Sequence, residues 1–311
     1  MISRHPLAGV YAAAVTPLRE ASPKGDTHDS SLDLESVPVL LDFLASRGCH
    51  GAVLFGTTGE GPSFSPSERE ALMRAAREYR HHLPGFRLIA GTGTPSLSET
   101  IDLTKLAFDL GCDAALVVPP YYFRKATDDG LFAWFSELIR KAVPSDNYLL
   151  GYHFPNVAGI GFSLELLARL KGAFPMQFAG IKDSSHDESF AVELGKRFDS
   201  DLAVFSGTDS HLQLAMQNHA TGAITAPANL ISPGLREIWD LMIEGKDATE
   251  AQARVTEQRH VLEKYPPFPP TLKALLHRVH GLPRWAVKPP LLSVSQEVEE
   301  QALIEFEPVN T

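Results

Sequence analysis

Cysteine is scarce in this chain of 311 residues, which has only Cys49 and Cys112. Two cysteines are too few for the disulfide framework of a small secreted protein, and neither has the spacing of a metal site. Each cysteine precedes a short apolar run, so we expect both thiols to be buried and reduced. The cysteine pattern gives no reason to expect a bound metal.

Long hydrophobic runs and clusters of positive charge are also missing. No stretch approaches the roughly 18 apolar residues that span a bilayer, and residues 1–6 lack the apolar core of a signal peptide. The net charge is −10, and no basic cluster extends beyond Arg140-Lys141. Such a chain is a poor partner for nucleic acid or an anionic membrane. These absences predict a soluble, cytoplasmic protein.

What the sequence contains is a regular alternation of short apolar runs and amphipathic segments. The apolar runs, which we interpret as strands, lie at residues 9–15, 51–55, 87–90, 114–118, 148–154, 178–182, 203–205 and 222–225. Amphipathic segments typical of helices lie at residues 32–46, 66–82, 97–110, 130–142, 164–170, 188–198 and 212–219. This alternation predicts a (β/α)₈ barrel, with a doubly wound sheet as the structural alternative.

Polar clusters after the strands favour the barrel. They follow nearly every strand on the same side, at residues 16–17, 56–60, 91–93, 119–122, 155–156 and 206–209. In barrel enzymes the chemistry takes place at the carboxyl ends of the strands. We therefore expect these segments to form one active-site face.

The strand pattern stops after Asn229. Further helices are predicted at residues 235–244, 248–262, 271–279 and 296–306, joined by proline-rich segments at 265–270 and 289–290. Apolar residues flank these joints, which favours docking over a flexible linker. We predict that residues 1–232 form a catalytic barrel and residues 233–311 a helical extension packed on it.

A lysine stands inside the apolar run of the sixth predicted strand. Lys182 belongs to the segment 178–183, Phe-Ala-Gly-Ile-Lys-Asp. Burying an ammonium is costly, so the group either finds a partner or loses its proton. A neutral lysine is a nucleophile that can condense with a ketone to form a Schiff base. The ordinary alternative is a strand-end lysine that extends to solvent.

Adjacent hydroxyls and a strand tyrosine are the companions expected for this lysine. In the segment 56–60, Gly-Thr-Thr-Gly-Glu, two glycines frame Thr57 and Thr58, so backbone N–H groups and hydroxyls can converge on a carboxylate. Tyr152 lies on the strand that precedes Lys182. The ordinary alternatives are a turn with a helix cap and a core tyrosine whose hydroxyl is satisfied at the rim.

Together these segments resemble the pyruvate-dependent class I aldolase family, which includes dihydrodipicolinate synthase, N-acetylneuraminate lyase and 2-keto-3-deoxygluconate aldolase. The resemblance rests on residues 56–60, Tyr121-Tyr122, Tyr152 with Pro155, and Gly-Ile-Lys-Asp at 180–183, in this order. It covers Gly9 to about Pro233, and the helical tail more loosely. In character it is closest to the 2-keto-3-deoxygluconate-type aldolases. The family implies a carbon–carbon lyase that needs no metal or organic cofactor, because the lysine supplies the electron sink.

The resemblance also implies a role for each matching residue. Lys182 forms a Schiff base with pyruvate or another 2-keto acid, and Tyr152 moves the proton on the carbonyl oxygen in a relay with Thr57 and Tyr122. Tyr122 matches the tyrosine that commonly reaches across a subunit interface, which implies a homodimer or homotetramer. The residues implied in substrate binding are Thr58, Gly56, Asn156, Gly207, Thr208, Asp209 and Ile224.

Two departures from the family narrow the substrate. The synthases resemble Tyr-Asn-Val-Pro-Ser-Arg-Thr-Gly after the strand tyrosine, and Val157 stands here where their arginine holds a second carboxylate. The sialic-acid lyases resemble Gly-Tyr-Asp-Glu after the seventh strand, whereas residues 207–210 here are Gly-Thr-Asp-Ser. A dihydrodipicolinate synthase and a lyase of long N-acetylated sugars are therefore both disfavoured.

The remaining second substrate is a smaller and less charged aldehyde. Asn156, Thr208 and Asp209 can hydrogen-bond hydroxyl groups, although Asp209 could equally cap the helix that follows it. We predict reversible cleavage of a 2-keto-3-deoxy sugar acid to pyruvate and a short hydroxyaldehyde. Phe154 and Val157 make the mouth partly apolar, which keeps open an aromatic or aliphatic aldehyde, as in related hydratase-aldolases.

Two other functions stay open at this point. A dehydratase would use the same lysine on a deoxy sugar acid and expel water instead of an aldehyde. A barrel that only binds a keto acid, without turnover, would have no need of the proton relay.

Overall fold

The structure, a computed structural model, describes residues 5–19 and 31–306. Its strands are β1 (Gly9–Ala13), β2 (Leu18–Arg19), β3 (Ser31–Leu32), β4 (Gly51–Leu54), β5 (Arg87–Gly91), β6 (Ala114–Val117), β7 (Tyr148–His153), β8 (Phe178–Asp183), β9 (Ala203–Ser206) and β10 (Gly222–Thr225). Eight of them form a closed barrel in the order β1-β10-β9-β8-β7-β6-β5-β4, and β2 pairs with β3 in a separate antiparallel hairpin. The predicted (β/α)₈ barrel is confirmed.

Helices cover the outside of the barrel and continue beyond it. They are α1 (Val37–Ser46), α2 (Pro66–Arg80), α3 (Leu97–Asp109), α4 (Asp128–Ala142), α5 (Pro155–Ala158), α6 (Leu164–Ala173), α7 (Glu188–Phe198), α8 (Leu212–Gln217), α9 (Ala228–Ile243), α10 (Thr249–Glu263), α11 (Phe268–His280) and α12 (Gln296–Phe306). Their starts follow from local sequence. At α2, Ser65 accepts a hydrogen bond from the Glu68 N–H and the Glu68 carboxylate accepts one from the Ser65 N–H, so two unpaired donors are satisfied.

Alternation along the strands divides the core into two layers. The inward-facing layer fills the barrel and includes Leu7, Tyr11, Val53, Ile89, Leu116, Leu150, Tyr152, Phe205 and Ile224. The outward-facing side chains of the same strands pack against the helices in a second, larger cluster. Tyr11 and Phe205 meet edge to face with ring centroids 5.8 Å apart. The barrel is therefore a packed core, and the chemistry is left to the loops above it.

Two helices begin five or more residues away from their predicted starts. α1 begins at Val37 instead of residue 32, with Pro38 in its first turn, where the missing N–H of proline costs no hydrogen bond. α9 begins at Ala228 instead of residue 235 and contains Pro233, which is accommodated by non-helical dihedral angles at Ile231 (φ −107°, ψ 19°). The predicted boundary between residues 232 and 233 falls inside α9, and it stays a prediction.

The C-terminal helices dock on the barrel. α10 contacts α9, and α11 contacts both α9 and α12. The segment between α11 and α12 is tied to the β2–β3 hairpin, because the Ala286 N–H donates to the Leu18 carbonyl at 2.9 Å. We refer to residues 244–306 as the C-terminal extension.

The structure bears on the predictions about the cysteines and about membrane-spanning segments. Cys49 and Cys112 are both buried and free. No helix within residues 5–19 and 31–306 is long and apolar enough to cross a membrane. Residues 1–4, which belong to the N-terminal stretch discussed above, lie outside the described part of the chain.

His50 joins β1 to β4 and gives the fold a defined response to pH. Its Nδ1 accepts a hydrogen bond from the Val10 N–H at 3.0 Å, and its ring lies 4.5 Å from that of Trp239. Burial lowers the pKa of His50 to about 4, and the Arg236 guanidinium adds to the effect. The unfolded chain, with a histidine pKa of about 6.5, takes up the proton first as the pH falls. The free energy of unfolding should therefore decrease as the pH falls from 6.5 to about 4.

We predict that His50→Asn weakens this pH dependence, because the asparagine oxygen can accept the Val10 N–H bond but does not titrate. Urea unfolding at a series of pH values across that window measures the effect. The exposed His82→Asn is the control and should keep the wild-type slope. Identical slopes for His50→Asn and the wild type would contradict the assignment.

Candidate active site

Lys182 lies near the carboxyl end of β8 at the mouth of the barrel. Its neighbours in register are Tyr152 on β7 and Phe205 on β9. A register shift between β7 and β8, at Leu149/Leu150, sets this pairing. Only 5% of Lys182 is exposed, so the side chain does not extend to solvent.

Three of the predicted catalytic residues come together at this point. The Nζ of Lys182 lies over the Tyr152 ring, 4.2 Å from the ring centroid. The Tyr152 hydroxyl lies 3.3 Å from Thr57 Oγ1. No carboxylate of the described residues forms an ion pair with Lys182. The Lys182 nitrogen thus lies against an aromatic face, and the hydroxyl of that same tyrosine is linked to Thr57.

A glycine two residues before Lys182 permits this packing. A Cβ built on Gly180 would lie 1.9 Å from the Ala203 carbonyl oxygen of β9, which is closer than any side chain can approach. The Gly-Ile-Lys-Asp motif therefore needs its glycine so that β9 can lie against β8.

A cavity of about 290 Å³ opens beside Tyr152 and Thr57. Its wall consists of Phe55, Gly56, Thr57, Pro62, Gly91, Gly93, Leu116, Val118, Tyr121, Tyr152, Phe154, Val157 and Ala158. Most of these side chains are apolar, and the side-chain polar groups on the wall are three hydroxyls. The cavity can hold a small organic molecule with its polar end at the hydroxyls.

The segment 56–60 forms a tight loop between β4 and α2. The Glu60 N–H donates to the Thr57 carbonyl at 3.1 Å, which closes the turn. Thr57 is exposed at the mouth, whereas Thr58 is buried, and Gly56 belongs to the cavity wall. The loop thus presents Thr57 toward Tyr152, whereas Thr58 is buried outside the cavity wall and its role in binding stays a prediction.

The two adjacent tyrosines of the loop after β6 have different surroundings. Tyr121 lines the cavity of its own chain. Burial raises its pKa, while the nearby Arg69 guanidinium opposes this shift and Glu99 adds to it. Tyr122 is 77% exposed and packs edge to face on Phe123, which is itself 69% exposed. The structure therefore does not bring Tyr122 to the cavity of its own subunit.

The other predicted substrate-binding residues lie outside the cavity wall. Asn156 is exposed and donates from Nδ2 to the Ser185 carbonyl at 3.5 Å. Thr208 is 3% exposed, with its hydroxyl 3.4 Å from His186 Nδ1. Gly207 packs against Ser184, and Ile224 is a fully buried part of the barrel interior. Their roles in binding stay predictions.

Asp209 occupies a buried ion pair with the C-terminal extension. Its Oδ2 lies 2.5 Å from Arg259 Nη1 on α10, with side-chain exposures of 0% and 5%. Burial lowers the pKa of Arg259, but the carboxylates of Asp209 and Glu263 outweigh it and raise the pKa. The Oδ1 of Asp209 is buried without a hydrogen-bond partner in the described part of the chain. One oxygen of the carboxylate that the sequence offers as a hydroxyl ligand is thus engaged by Arg259, and the role of Asp209 in binding stays a prediction.

Sequence reasoning assigned no binding role to several residues of the cavity wall. Gly91 and Gly93 belong to a segment expected on the active-site face but given no role in binding, and they form part of the wall. A Cβ on Gly91 would lie 2.4 Å from the Phe55 carbonyl oxygen, so the loops after β4 and β5 touch here. Glycines at the carboxyl ends of two neighbouring strands were the available signal. Leu116 and Val118 carried no signal, because apolar strand residues are common everywhere.

We predict that Arg259→Met lowers the free energy of unfolding by about 3–5 kcal/mol, since it leaves Asp209 buried and unpaired. Urea denaturation measures the change. Arg254→Met is the control on the same helix, because its pair with Glu237 is half exposed on both sides; it should cost about 1 kcal/mol or less. Equal costs for the two variants would show that the buried pair contributes no more to stability than a half-exposed one.

Comparison with known proteins agrees with this geometry. The profile described as the dihydrodipicolinate synthetase family matches residues 6–305. An uncharacterized DapA-like lyase of Chloroflexus aurantiacus is 36% identical over 290 residues, covering 93% of this chain and 92% of the relative. A 4-hydroxy-tetrahydrodipicolinate synthase of Herminiimonas arsenicoxydans is 34% identical over 242 residues, covering 78% and 77%.

Solved structures give the same answer for the fold. The dihydrodipicolinate synthase of Agrobacterium tumefaciens matches with a TM-score of 0.83 at 31% identity, covering 97% of this chain and 99% of that one. A sialic acid aldolase of Ruminococcus gnavus matches with a TM-score of 0.86 at 19% identity, covering 99% and 98%, which shows a shared fold. From its family profile and its relatives, the chain belongs to the dihydrodipicolinate synthetase family and is a carbon–carbon lyase, as its motifs predict.

Proposed function

We propose that the protein forms a Schiff base between Lys182 and pyruvate and reversibly cleaves a 2-keto-3-deoxy acid to pyruvate and an aldehyde. The observation that carries the proposal is the buried lysine beside Tyr152, 4.2 Å from its ring centroid and without a carboxylate partner among the described residues. A lysine in such a site is suited to nucleophilic attack on a carbonyl. Membership of a family of carbon–carbon lyases supports the reaction class.

The proposed reaction needs only the substrate, water, proton transfer and the Lys182 amine, which is regenerated at the end of the cycle. The amine of Lys182 adds to the C2 carbonyl, and loss of water gives an iminium ion. When the C4 hydroxyl loses its proton, the C3–C4 bond breaks, the aldehyde leaves and the bonding electrons form an enamine. Protonation at C3 and hydrolysis of the iminium then release pyruvate and restore the amine.

Tyr152 and Thr57 are proposed to move the protons. Their hydroxyl oxygens lie 3.3 Å apart, within reach of a shared proton. We propose that Thr58 and the backbone of the loop hold the pyruvate carboxylate. We further propose that Tyr122 serves the site of a neighbouring subunit in a homo-oligomer, since it is exposed in its own chain and absent from its own cavity. Such an enzyme would work in the cytoplasm, as the sequence predicts.

The aldehyde is proposed to be a short hydroxyaldehyde, so that the substrate is a 2-keto-3-deoxy sugar acid. Val157 supports an uncharged aldehyde, because it lies at the cavity mouth and offers no group to hold a second carboxylate. The relatives named as 4-hydroxy-tetrahydrodipicolinate synthases therefore do not fix the substrate of this chain.

A second candidate is favoured by the cavity wall. Phe154, Val157 and Val118 line it, while Asn156, Thr208 and Asp209 lie outside it. An aldehyde with an apolar or aromatic group, as in a hydratase-aldolase, would bury more of its surface there than a polyhydroxy chain. A dehydratase would share the iminium and differ in releasing water alone.

We predict that the enzyme exchanges the methyl protons of pyruvate for deuterium in D2O without any aldehyde, because the enamine forms and reverts at C3. Proton NMR of the pyruvate methyl signal measures the rate. Lys182→Met should reduce exchange to the uncatalysed background, and Tyr152→Phe should slow it by about 10²–10⁴-fold. Lys141→Met, at an exposed lysine, is the control and should exchange like the wild type. Exchange by Lys182→Met at the wild-type rate would rule out the mechanism.

We also predict that uncharged aldehydes react better than carboxylate-bearing ones, and that Val157→Arg reverses this order. A charge-assisted hydrogen bond is worth about 1.5–3 kcal/mol, so kcat/KM for aspartate semialdehyde should rise roughly 10- to 100-fold in the variant. Val157→Leu is the size-matched control without a charge. In the wild type, faster reaction of glyceraldehyde than of benzaldehyde supports the sugar acid, and the reverse order supports the second candidate. A wild type that prefers aspartate semialdehyde would contradict both.

A further inference from the structure

A second buried lysine, Lys273 on α11, reaches the catalytic loop from the C-terminal extension. Its Nζ lies 2.5 Å from Glu60 Oε1, and the two side chains are 1% and 0% exposed. The same Nζ donates to the Ala286 carbonyl at 2.6 Å. The chemistry proposed above does not use either residue, so this pair needs its own explanation.

Glu60 is held by the extension at both carboxylate oxygens. Its Oε2 accepts the Lys288 N–H at 2.7 Å, from the segment that follows α11. The side chain of Lys288 in turn pairs with Glu68, which caps α2, and lies 4.7 Å from the Phe64 ring centroid. The C-terminal extension thus contacts the loop after β4 at Glu60 and contacts the start of α2 at Glu68.

The backbone at Glu60 is itself strained. Its φ is 56°, in the left-handed region that residues with a side chain rarely adopt. Such a conformation persists only where the surroundings enforce it. The contacts to Lys273 and to the Lys288 N–H are the enforcing interactions that involve the side chain.

Glu60 is directly coupled to the threonines of the loop. Its N–H bonds to the Thr57 carbonyl, and the next residue, Gly61, donates to the Gly56 carbonyl at 3.1 Å. From the barrel side, Thr16 Oγ1 donates to the Gly59 carbonyl at 2.7 Å. A shift of Glu60 would therefore move the peptide that carries Thr57 relative to Tyr152.

We propose that Glu60 and Lys273 are positioning residues, through which the C-terminal extension fixes Thr57 and Thr58 for pyruvate binding and proton transfer. A buried ion pair is weak evidence for added stability, since its desolvation cost offsets much of the attraction. Its exact placement, in contrast, determines where the loop lies. This inference rests on the proposed Schiff-base function.

The test compares Lys273→Met, Glu60→Gln and the double variant with Glu299→Gln. Glu299 is a matched control, because it is also buried in the extension, where it pairs with Arg278 and Arg284 away from the loop. For each variant the apparent KM for pyruvate is measured from the rate at which the pyruvate methyl protons exchange with D2O. Each rate is divided by the concentration of active sites, counted as the sites that form a borohydride-reduced adduct with pyruvate. Thermal unfolding gives the stability of each.

We expect Lys273→Met and Glu60→Gln to raise the KM for pyruvate at least tenfold, whereas Glu299→Gln lowers the Tm and leaves the KM within twofold. The double variant should regain much of the Tm lost in Lys273→Met, because no buried carboxylate is left unpaired, but it should keep the high KM. If Lys273→Met does not fold, Glu60→Gln decides, since it keeps an acceptor for the Lys288 N–H.

Other outcomes would overturn the proposal. An unchanged KM per trapped site in Glu60→Gln would show that the pair serves stability alone, and so would a double variant that recovers both Tm and KM. A wild type that gives no adduct with pyruvate would instead refute the proposed function, and the positioning role would fall with it.

Discussion

Burying an ammonium group is the constraint on which the active-site end of this barrel depends. Two lysines are buried there, Lys182 at 5% and Lys273 at 1% exposure. An isolated buried charge costs roughly several kcal/mol, even after the protein relaxes around it, unless a counter-charge and further hydrogen bonds compensate the cost. Lys273 has such a partner in Glu60. Lys182 lies against the Tyr152 ring instead and has no carboxylate partner among the described residues, which is why we propose it as the lysine that reacts with a carbonyl.

The same contrast explains how the barrel and its extension divide their tasks. The strands bring Lys182, Tyr152 and the loop with Thr57 to one end, as parallel strands must. The extension then anchors two of the loops at that end through buried ion pairs. Arg259 holds Asp209 after β9, and Lys273 holds Glu60 after β4. The helices beyond the barrel therefore act on the geometry of the site without lining it.

The parts that follow from strand periodicity could be predicted from the sequence. All eight barrel strands lie where the apolar runs place them, because buried parallel strands need continuous apolar residues and end at polar turns. The meeting of Lys182 with Tyr152 followed from their places on neighbouring strands. The predicted helix starts at residues 32 and 235 were wrong. Leu32 belongs to strand β3, which pairs with β2, so α1 begins later than predicted. α9 begins earlier than predicted because it accommodates Pro233 inside the helix.

Long-range partners could not be predicted in this way. Asp209 looked available as a ligand because its partner, Arg259, is fifty positions away in the chain. Lys273 lies in an apolar stretch, the same signal that singled out Lys182, yet only the fold reveals that Glu60 neutralises it. Sequence reasoning singled out Lys182 but not Lys273, and the role of a buried lysine depends on whether the fold supplies a carboxylate.

The proposed chemistry depends on Lys182 as the residue that bonds to the keto acid. Incubation with pyruvate and sodium borohydride, followed by intact-mass analysis and peptide mapping, tests it most directly. We expect one reduced pyruvate adduct per chain, located on Lys182, with Lys273 unmodified. An adduct on Lys273, or no adduct on a folded protein saturated with pyruvate, would contradict the account.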